Sequence, residues 1–264
     1  MCSLFDLHTH HDRAGQLALI NRYEAFDALL IERFYTVGLH PWYLNEHAEE
    51  AFEQLSISAK KKNVLAIGEC GLDKVCDTDW SLQQVWFEKQ ITLANSLNKP
   101  LIIHCVRAFE EVMAVLKNNQ VTMPVIFHGF NKNAQLAKRL VDQGYYLSFG
   151  KHLKNEGVRE VLRSIPIERV FLETDDSTLS IPEVYALAAD ALGIFIRKFS
   201  ASNRSKFSFG FWKRHCIMND ISWLSRTSLL IGKEKLRTLT TKHVMVVGMG
   251  GLGSFAAEFI ARSG

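Results

Sequence analysis

A parallel (β/α)8 TIM barrel is the fold class that residues 1–194 predict, and three observations carry that prediction. Eight short apolar runs rich in β-branched and aromatic residues recur along this stretch, and amphipathic segments separate most of them. A chain of 264 residues also has room for the roughly 250 that such a barrel takes. The strands are expected at residues 4–7, 16–22, 34–39, 64–69, 101–105, 124–127, 145–149 and 169–174. Alternation of strands with helices implies a parallel sheet, with any functional site at the carboxyl ends of the strands.

The segments between the strands suit helices. Ser81 is placed to cap a helix carrying Val85, Ile91, Ala94 and Leu97, with Pro100 beyond its end to stop it. Residues 109–117 and 134–143 show similar apolar spacing, the second closed by Gly144. A last helix at about 182–194 would complete the barrel wall. Between Arg22 and Phe34 the stretch is short for a complete helix.

Composition bounds the setting. Hydrophobic residues make up 47% of the chain and charged residues 22%, ordinary values for a soluble globular protein. No apolar run approaches the roughly 20 residues of a membrane helix, and no N-terminal stretch reads as a signal peptide. The cytoplasm is therefore the expected compartment, with no membrane partner. The five cysteines are odd in number and include no C-x-x-C pair, so reduced thiols are expected.

The net charge of +3 conceals a break. Residues 1–193 carry 19 Lys and Arg against 25 Asp and Glu, a net of −6, whereas residues 194–243 carry 11 against 2, a net of +9. Such a change points to segments of different origin. Three divisions are read: a barrel over 1–194, an irregular basic junction over 195–217, and a third segment over 218–264.

Six residues able to hold metal stand at the ends of five separate apolar runs: His8 and His10, Glu69, His104, His128 and Asp175. The period of two puts His8 and His10 on one face of the first strand. Glu69 directly follows an apolar run, where burial is costly unless the carboxylate is paired or metal-bound, and its two oxygens can bridge two ions. Imidazoles with carboxylates suit zinc, and further carboxylate and water would accept magnesium or manganese. One histidine alone is usually structural. The shared rim position of all six argues for a two-metal hydrolase.

These residues lie in motifs that strongly resemble the TatD metal-dependent hydrolases. The resemblance covers about residues 4–194, through Phe5-Asp-Leu-His-Thr-His10, Val37-Gly-Leu-His-Pro41, Ile67-Gly-Glu-Cys-Gly-Leu-Asp73, Pro100-Leu-Ile-Ile-His-Cys-Val-Arg107, Phe127-His-Gly-Phe130 and Leu172-Glu-Thr-Asp175. It implies that His8, His10, Glu69 and Asp175 hold one divalent ion and Glu69, His104 and His128 a second. It implies Asp175 as the group that takes a proton from the attacking water, with Arg107 and Lys151 near substrate phosphate and His40 in the substrate shell. It further implies a phosphodiesterase or deoxyribonuclease, often 3′ to 5′, acting on single-stranded or strand-end nucleic acid. A D-aminoacyl-tRNA deacylase and a small-molecule amidohydrolase are alternatives on the same site.

Two departures stand out. Arg107 lies three residues after His104 where many relatives have arginine two after, and Asp176-Ser177 replaces the usual Ser-Pro, adding negative charge beside the site. Lesser residues have plainer readings. His11, His47 and His152 suit surface roles or places just behind the ligands, Lys60 to Lys62 a solvated helix end with nucleic-acid contact as the lesser alternative, and Cys70 and Cys105 packing. Glu173 shares the face of Asp175 and is placed to orient a histidine or a metal-held water. Asp73 lies outside the ligand set, so its change to asparagine is expected to do little.

Residues 218–264 resemble the beginning of ThiF/MoeB-type adenylating enzymes, the tRNA threonylcarbamoyladenosine dehydratase group in particular, in Trp223-Leu-Ser-Arg226 and in the strand running into Gly248, Gly250 and Gly253. Such glycines let a phosphate approach a helix N-terminus. Only about eleven residues follow Gly253, so this reads as a truncated Rossmann-like fragment with no expected ATP binding. A rival of another class is an inactive fusion product whose altered C-terminus prevents barrel closure.

Overall fold

The computed structural model describes residues 4–194. The junction 195–217, the segment 218–264 and its glycines Gly248, Gly250 and Gly253 lie outside the described residues.

Eight parallel strands form one sheet in sequential order: β1 (Phe5–Thr9), β2 (Leu17–Arg22), β3 (Phe34–Val37), β4 (Val64–Asp73), β5 (Leu101–Val106), β6 (Val125–Phe127), β7 (Tyr146–Phe149) and β8 (Val170–Leu172). The ring closes through a bridge between Thr9 and Asp175, where the Asp175 N–H donates to the His8 carbonyl at 2.9 Å and the His10 N–H to the Asp175 carbonyl at 3.2 Å. Beside it the buried Asp6 accepts from the Thr174 N–H at 2.9 Å and hydroxyl at 2.7 Å. Residues from both ends of the barrel sequence thus meet at one seam.

Six helices are present among the described residues: α1 (Ala48–Ser58), α2 (Trp80–Leu97), α3 (Phe109–Asn118), α4 (Ala134–Asp142), α5 (Glu156–Arg163) and α6 (Ile181–Leu192). The eight-stranded parallel barrel expected from the sequence is present, with a local departure: among the described residues no helix follows β1 or β2. Residues 23–33 are indeed too short a span for a helix and its two connections. α1 and α5 are elements the sequence reading did not name. α6 completes the wall, its Tyr185 hydroxyl donating to the Phe5 carbonyl at 3.0 Å.

Helix α2 shows how local chemistry sets the ends. Asp79 caps it, accepting from the Leu82 N–H at 3.0 Å, so the expected cap at Ser81 lies two residues too late. The left-handed Asn98 ends it, ahead of Pro100. Its buried face is Gln83, Trp86, Phe87, Gln90, Ile91 and Ala94, whereas Val85 faces solvent. Along the strands, Leu7, Leu19, Val37, Ile103, Phe127, Leu147 and Phe171 are fully buried or nearly so, and Val37, Ile103, Phe127 and Leu147 belong to the core shared with the helices. Each such side chain contributes about 1.5–3 kcal/mol of transfer free energy.

Strand β4 runs four residues past Glu69, which corrects its placement at a strand end. The extension needs glycine at Gly71. Its φ is +145°, and a Cβ there would lie 2.0 Å from the His104 carbonyl oxygen. Close approach of β4 to β5 carries Asp73 out to the rim beside His104. Among the described residues no helix is long and apolar enough to cross a membrane.

Candidate metal centre

Glu69 is 3% exposed, and its two oxygens face two different sets of histidines. Oε2 lies 3.3 Å from His8 Nε2 and 3.6 Å from His10 Nε2. Oε1 lies 2.5 Å from His128 Nε2 and 2.9 Å from His104 Nδ1. Asp175 Oδ1 joins the first set, 3.6 Å from His8 Nε2 and 3.5 Å from His10 Nε2. All six residues named from the sequence therefore converge at the carboxyl rim.

These separations test the fit of a metal. Nitrogen and oxygen ligands held about 2.0–2.2 Å from one ion at tetrahedral angles stand roughly 3.3–3.6 Å apart. The four contacts of the first set span that same interval. His8 is fully buried, and neither of its ring nitrogens has a hydrogen-bond partner among the described residues. A buried imidazole in that state is costly unless an ion takes up its lone pair. The first set fits a divalent cation, whereas His104 and His128 stand closer to Glu69 Oε1, at 2.9 and 2.5 Å, in direct contact with it.

Electrostatics point the same way. Asp175 and Glu69 facing His10 push its pKa up to about 9. Burial opposes charge on His128, yet Glu69 and Glu173 outweigh it and raise the pKa well above the usual value. Burial likewise opposes charge on Glu69, but His128, His10 and His104 hold its carboxyl well below the ordinary range. Asp175 is lowered too, the histidines overcoming desolvation. Buried carboxylates here demand positive charge at the histidines, and a dication can supply it in place of protons.

An outer contact decides which nitrogen His104 turns inward. His104 Nε2 is 3.0 Å from Asp73 Oδ2, so its N–H points there and Nδ1 presents its lone pair to the cluster. His128 Nδ1 lies 3.7 Å from Glu173 Oε1, which also accepts from the Gly129 N–H at 2.6 Å. At that distance Glu173 is a charged neighbour of His128 and not a hydrogen-bond partner of its ring.

His40 sits inside the cluster, its Nε2 3.3 Å from Glu69 Oε1 and 3.2 Å from His104 Nδ1. Proximity groups it with Glu69 and His104 as a third candidate ligand set. Its Nδ1, however, accepts from the Trp42 N–H at 3.1 Å, which leaves the proton of the neutral ring on Nε2. Burial lowers its pKa and keeps it neutral. His40 is thus a donor aimed at the cluster rather than a lone-pair ligand.

Several positioning residues escaped the sequence reading. Asn21 Oδ1 accepts from the Glu69 N–H at 2.9 Å and from the Thr36 hydroxyl at 3.0 Å, and its Nδ2 donates to Glu69 Oε2 at 3.4 Å. From α2, Gln90 pairs with both backbone groups of Leu39, at 2.7 and 3.1 Å, and Gln83 with both of Asp73, at 2.8 and 3.0 Å. Polar residues at buried helical positions were the available signal. Asp73 itself corrects the expectation that it stands apart from the site.

Other expectations resolve separately. Arg107 is exposed just past β5 with a left-handed φ of 54° and has no ion pair among the described residues. Lys151 pairs with Asp176 at 2.6 Å, so the charge that Asp176 adds is compensated locally. Cys70 is fully buried, and burial raises its thiol and that of Cys105, the latter to about 12. Lys61 and the adjoining lysines lie between α1 and β4, at the opposite end of the barrel from the cluster.

Fold and cluster together define a class, the parallel barrels of the metal-dependent hydrolase type. The chain belongs to the TatD related DNase family, whose signature matches residues 5–183. An uncharacterized metal-dependent hydrolase of Haemophilus influenzae is 31% identical over 157 residues, 56% of this chain and 60% of that protein. The 3'-5' ssDNA/RNA exonuclease TatD of Pantoea ananatis is 35% identical over 146 residues, 53% of this chain and 56% of that protein. The chain thus spans about three fifths of the length of the curated relatives it matches. The crystal structure of YjjV, a TatD homolog from Escherichia coli K12, shares the fold with a TM-score of 0.67 at 22% identity, covering 78% of this chain and 97% of that one. A TatD family hydrolase from Entamoeba histolytica gives 0.66 at 17%, covering 78% and 98%.

Proposed function

We propose that this protein is a divalent-metal-dependent phosphodiesterase that trims single-stranded or strand-end nucleic acid from the 3′ side. The observation that carries the reading is the division of Glu69, one oxygen toward His8 and His10 and the other toward His104 and His128. In it, His8, His10, Glu69 and Asp175 hold one ion, and Glu69, His104 and His128 the other. When bound, such an ion pair acidifies a water and neutralises charge growing on the phosphoryl oxygens.

The remaining steps belong to the chain's own groups. Asp175 Oδ1 faces the two histidines of β1, so Oδ2 is the oxygen left to take a proton from the attacking water. His40 Nε2 donates toward a phosphoryl oxygen, its direction set by the bond to the Trp42 N–H. Arg107 is the cation available for a flanking phosphate. The similarity to a relative named as a single-strand DNA and RNA exonuclease supports this substrate class. With residues 1–193 at net −6, binding is expected to be local to the site, not spread over a basic surface.

The division at residue 194 remains part of the proposal, since all candidate ligands precede residue 176. Truncation after Arg197 is expected to retain activity, and ATP to leave stability unchanged. The deciding experiment is metal analysis of the purified protein together with hydrolysis of a 5′-labelled single strand, with and without chelator. Chelator-sensitive shortening from the 3′ end is expected. Chelator-resistant cleavage, or turnover confined to aminoacyl-tRNA or small esters, would overturn the reading.

A further inference from the structure

The rim between β1 and β5 carries aromatic surface that neither the core nor the candidate ligands use. Trp42 is 53% exposed and Tyr43 52%, although large rings are usually well buried. Both lie on a 3-10 turn, Pro41–Tyr43, that is firmly held. The Trp42 N–H donates to His40 Nδ1, and the indole N–H donates to Asp73 Oδ2 at 2.6 Å. Exposure here comes with fixed orientation.

These rings form a continuous arc beside the cluster. Tyr23, just past β2, has its ring centroid 6.2 Å from that of His10 and stacks on Tyr43 at 4.7 Å, with 27° between planes. Tyr43 lies 5.5 Å from the His40 ring. Trp42 meets His40 at 4.9 Å and His104 at 5.6 Å, both edge-on. An aliphatic side chain would cover the rim equally well. What flat rings add is face contact with a flat ligand, available to every base through its π-face.

We infer that Trp42, Tyr43 and Tyr23 form a nucleobase-stacking subsite for the nucleotide whose phosphate is presented to the Glu69 cluster. This rests on the nucleic-acid reading above and adds to it the part of the site that recognises a base. A base on the arc lies next to the His40 ring, and its phosphate, one sugar away, then reaches the cluster. The subsite is sequence-tolerant because stacking reads the face of a base and not its edge. It also sets a requirement that a small-ester hydrolase would not have: the leaving nucleotide must carry its base.

Two readouts test this. In the first, dAMP or 2-deoxyribose 5-phosphate is titrated into the full-length protein while tryptophan emission is followed, with Trp42→Phe isolating the contribution of that ring. Saturable quenching by dAMP, absent in Trp42→Phe, and affinity about tenfold or more above that of the sugar phosphate are expected. In the second, single strands ending in an intact or an abasic 3′ nucleotide are compared by kcat/KM. The intact end should be preferred about tenfold or more, and the ratio should fall toward one in Tyr43→Leu, which leaves the Trp42 to Asp73 bond in place. Equal binding of dAMP and sugar phosphate, or a preference untouched in Tyr43→Leu, would overturn the subsite. If no strand is cleaved, the phosphodiesterase reading falls and the titration alone decides the subsite.

Discussion

Asp73 Oδ2 lies 3.0 Å from His104 Nε2 and accepts from the Trp42 indole N–H at 2.6 Å, while Oδ1 accepts from the Val75 N–H at 2.7 Å. Three donors thus converge on one carboxylate. Burial opposes its charge, yet the bonds from Trp42 and His104 hold its pKa below the ordinary value. Asparagine has only one acceptor end, so either orientation of the amide turns an NH2 group toward a donor. Asp73→Asn should therefore lower metal affinity about 10–100-fold by loosening His104, with the fold retained. Equilibrium dialysis against zinc and a thermal melt separate the two effects; unchanged affinity would remove Asp73 from the site.

Glu69→Gln replaces a shared negative charge with a neutral group whose NH2 must face one histidine set. Occupancy of both ions should fall, and turnover with it, by more than about a hundredfold. Elemental analysis beside the nuclease assay checks this. Full occupancy with normal turnover would end the bridging assignment.

Metal uptake should depend on pH. His10, raised to about 9, is protonated at neutral pH in the metal-free protein, and His128 is raised in the same direction. An incoming ion must displace these protons, so apparent affinity falls as pH drops below about 9, by up to tenfold per unit for each proton released. Calorimetry in buffers of different ionisation enthalpy measures that release directly. No proton release at pH 7 would show that the carboxylates do not charge these rings.

Asp6 provides a separate pH signature at the seam. Desolvation raises its pKa from 3.8 to about 7, although the hydroxyl and N–H of Thr174 partly oppose the shift. Between those values the folded state holds a proton that the unfolded chain has lost. The stabilisation is complete below about pH 4 and is lost as pH rises through 7, a change of at most on the order of 4 kcal/mol. Asp6→Asn has no proton to lose, so the difference in urea midpoint between wild type and variant should change steadily from pH 4 to 8. A constant difference would show that Asp6 ionises normally.

Much of this protein is legible in its sequence because barrels write themselves locally. An apolar run bounded by turns makes a buried strand whatever its neighbours are, so eight such runs determined the number and order of strands. A polar residue next to such a run has to sit at its end or turn inward, which is why His8, His10, His104, His128 and Asp175 could be placed at one rim. Strand and helix ends were less legible. Asp79 rather than Ser81 caps α2, and β4 continues past Glu69, because caps and ladders depend on hydrogen-bond partners and on the close approach that Gly71 permits.

Only the tertiary structure decided the rest. That Glu69 divides its oxygens between two histidine sets, that His40 donates where its neighbours present lone pairs, and that Asp73, Gln83, Gln90 and Asn21 hold the site in place are relations between strands and helices distant in sequence. Periodicity reports which face a side chain takes. Which atom it meets there is set by the packing of other segments across the barrel, and no local pattern contains that distance.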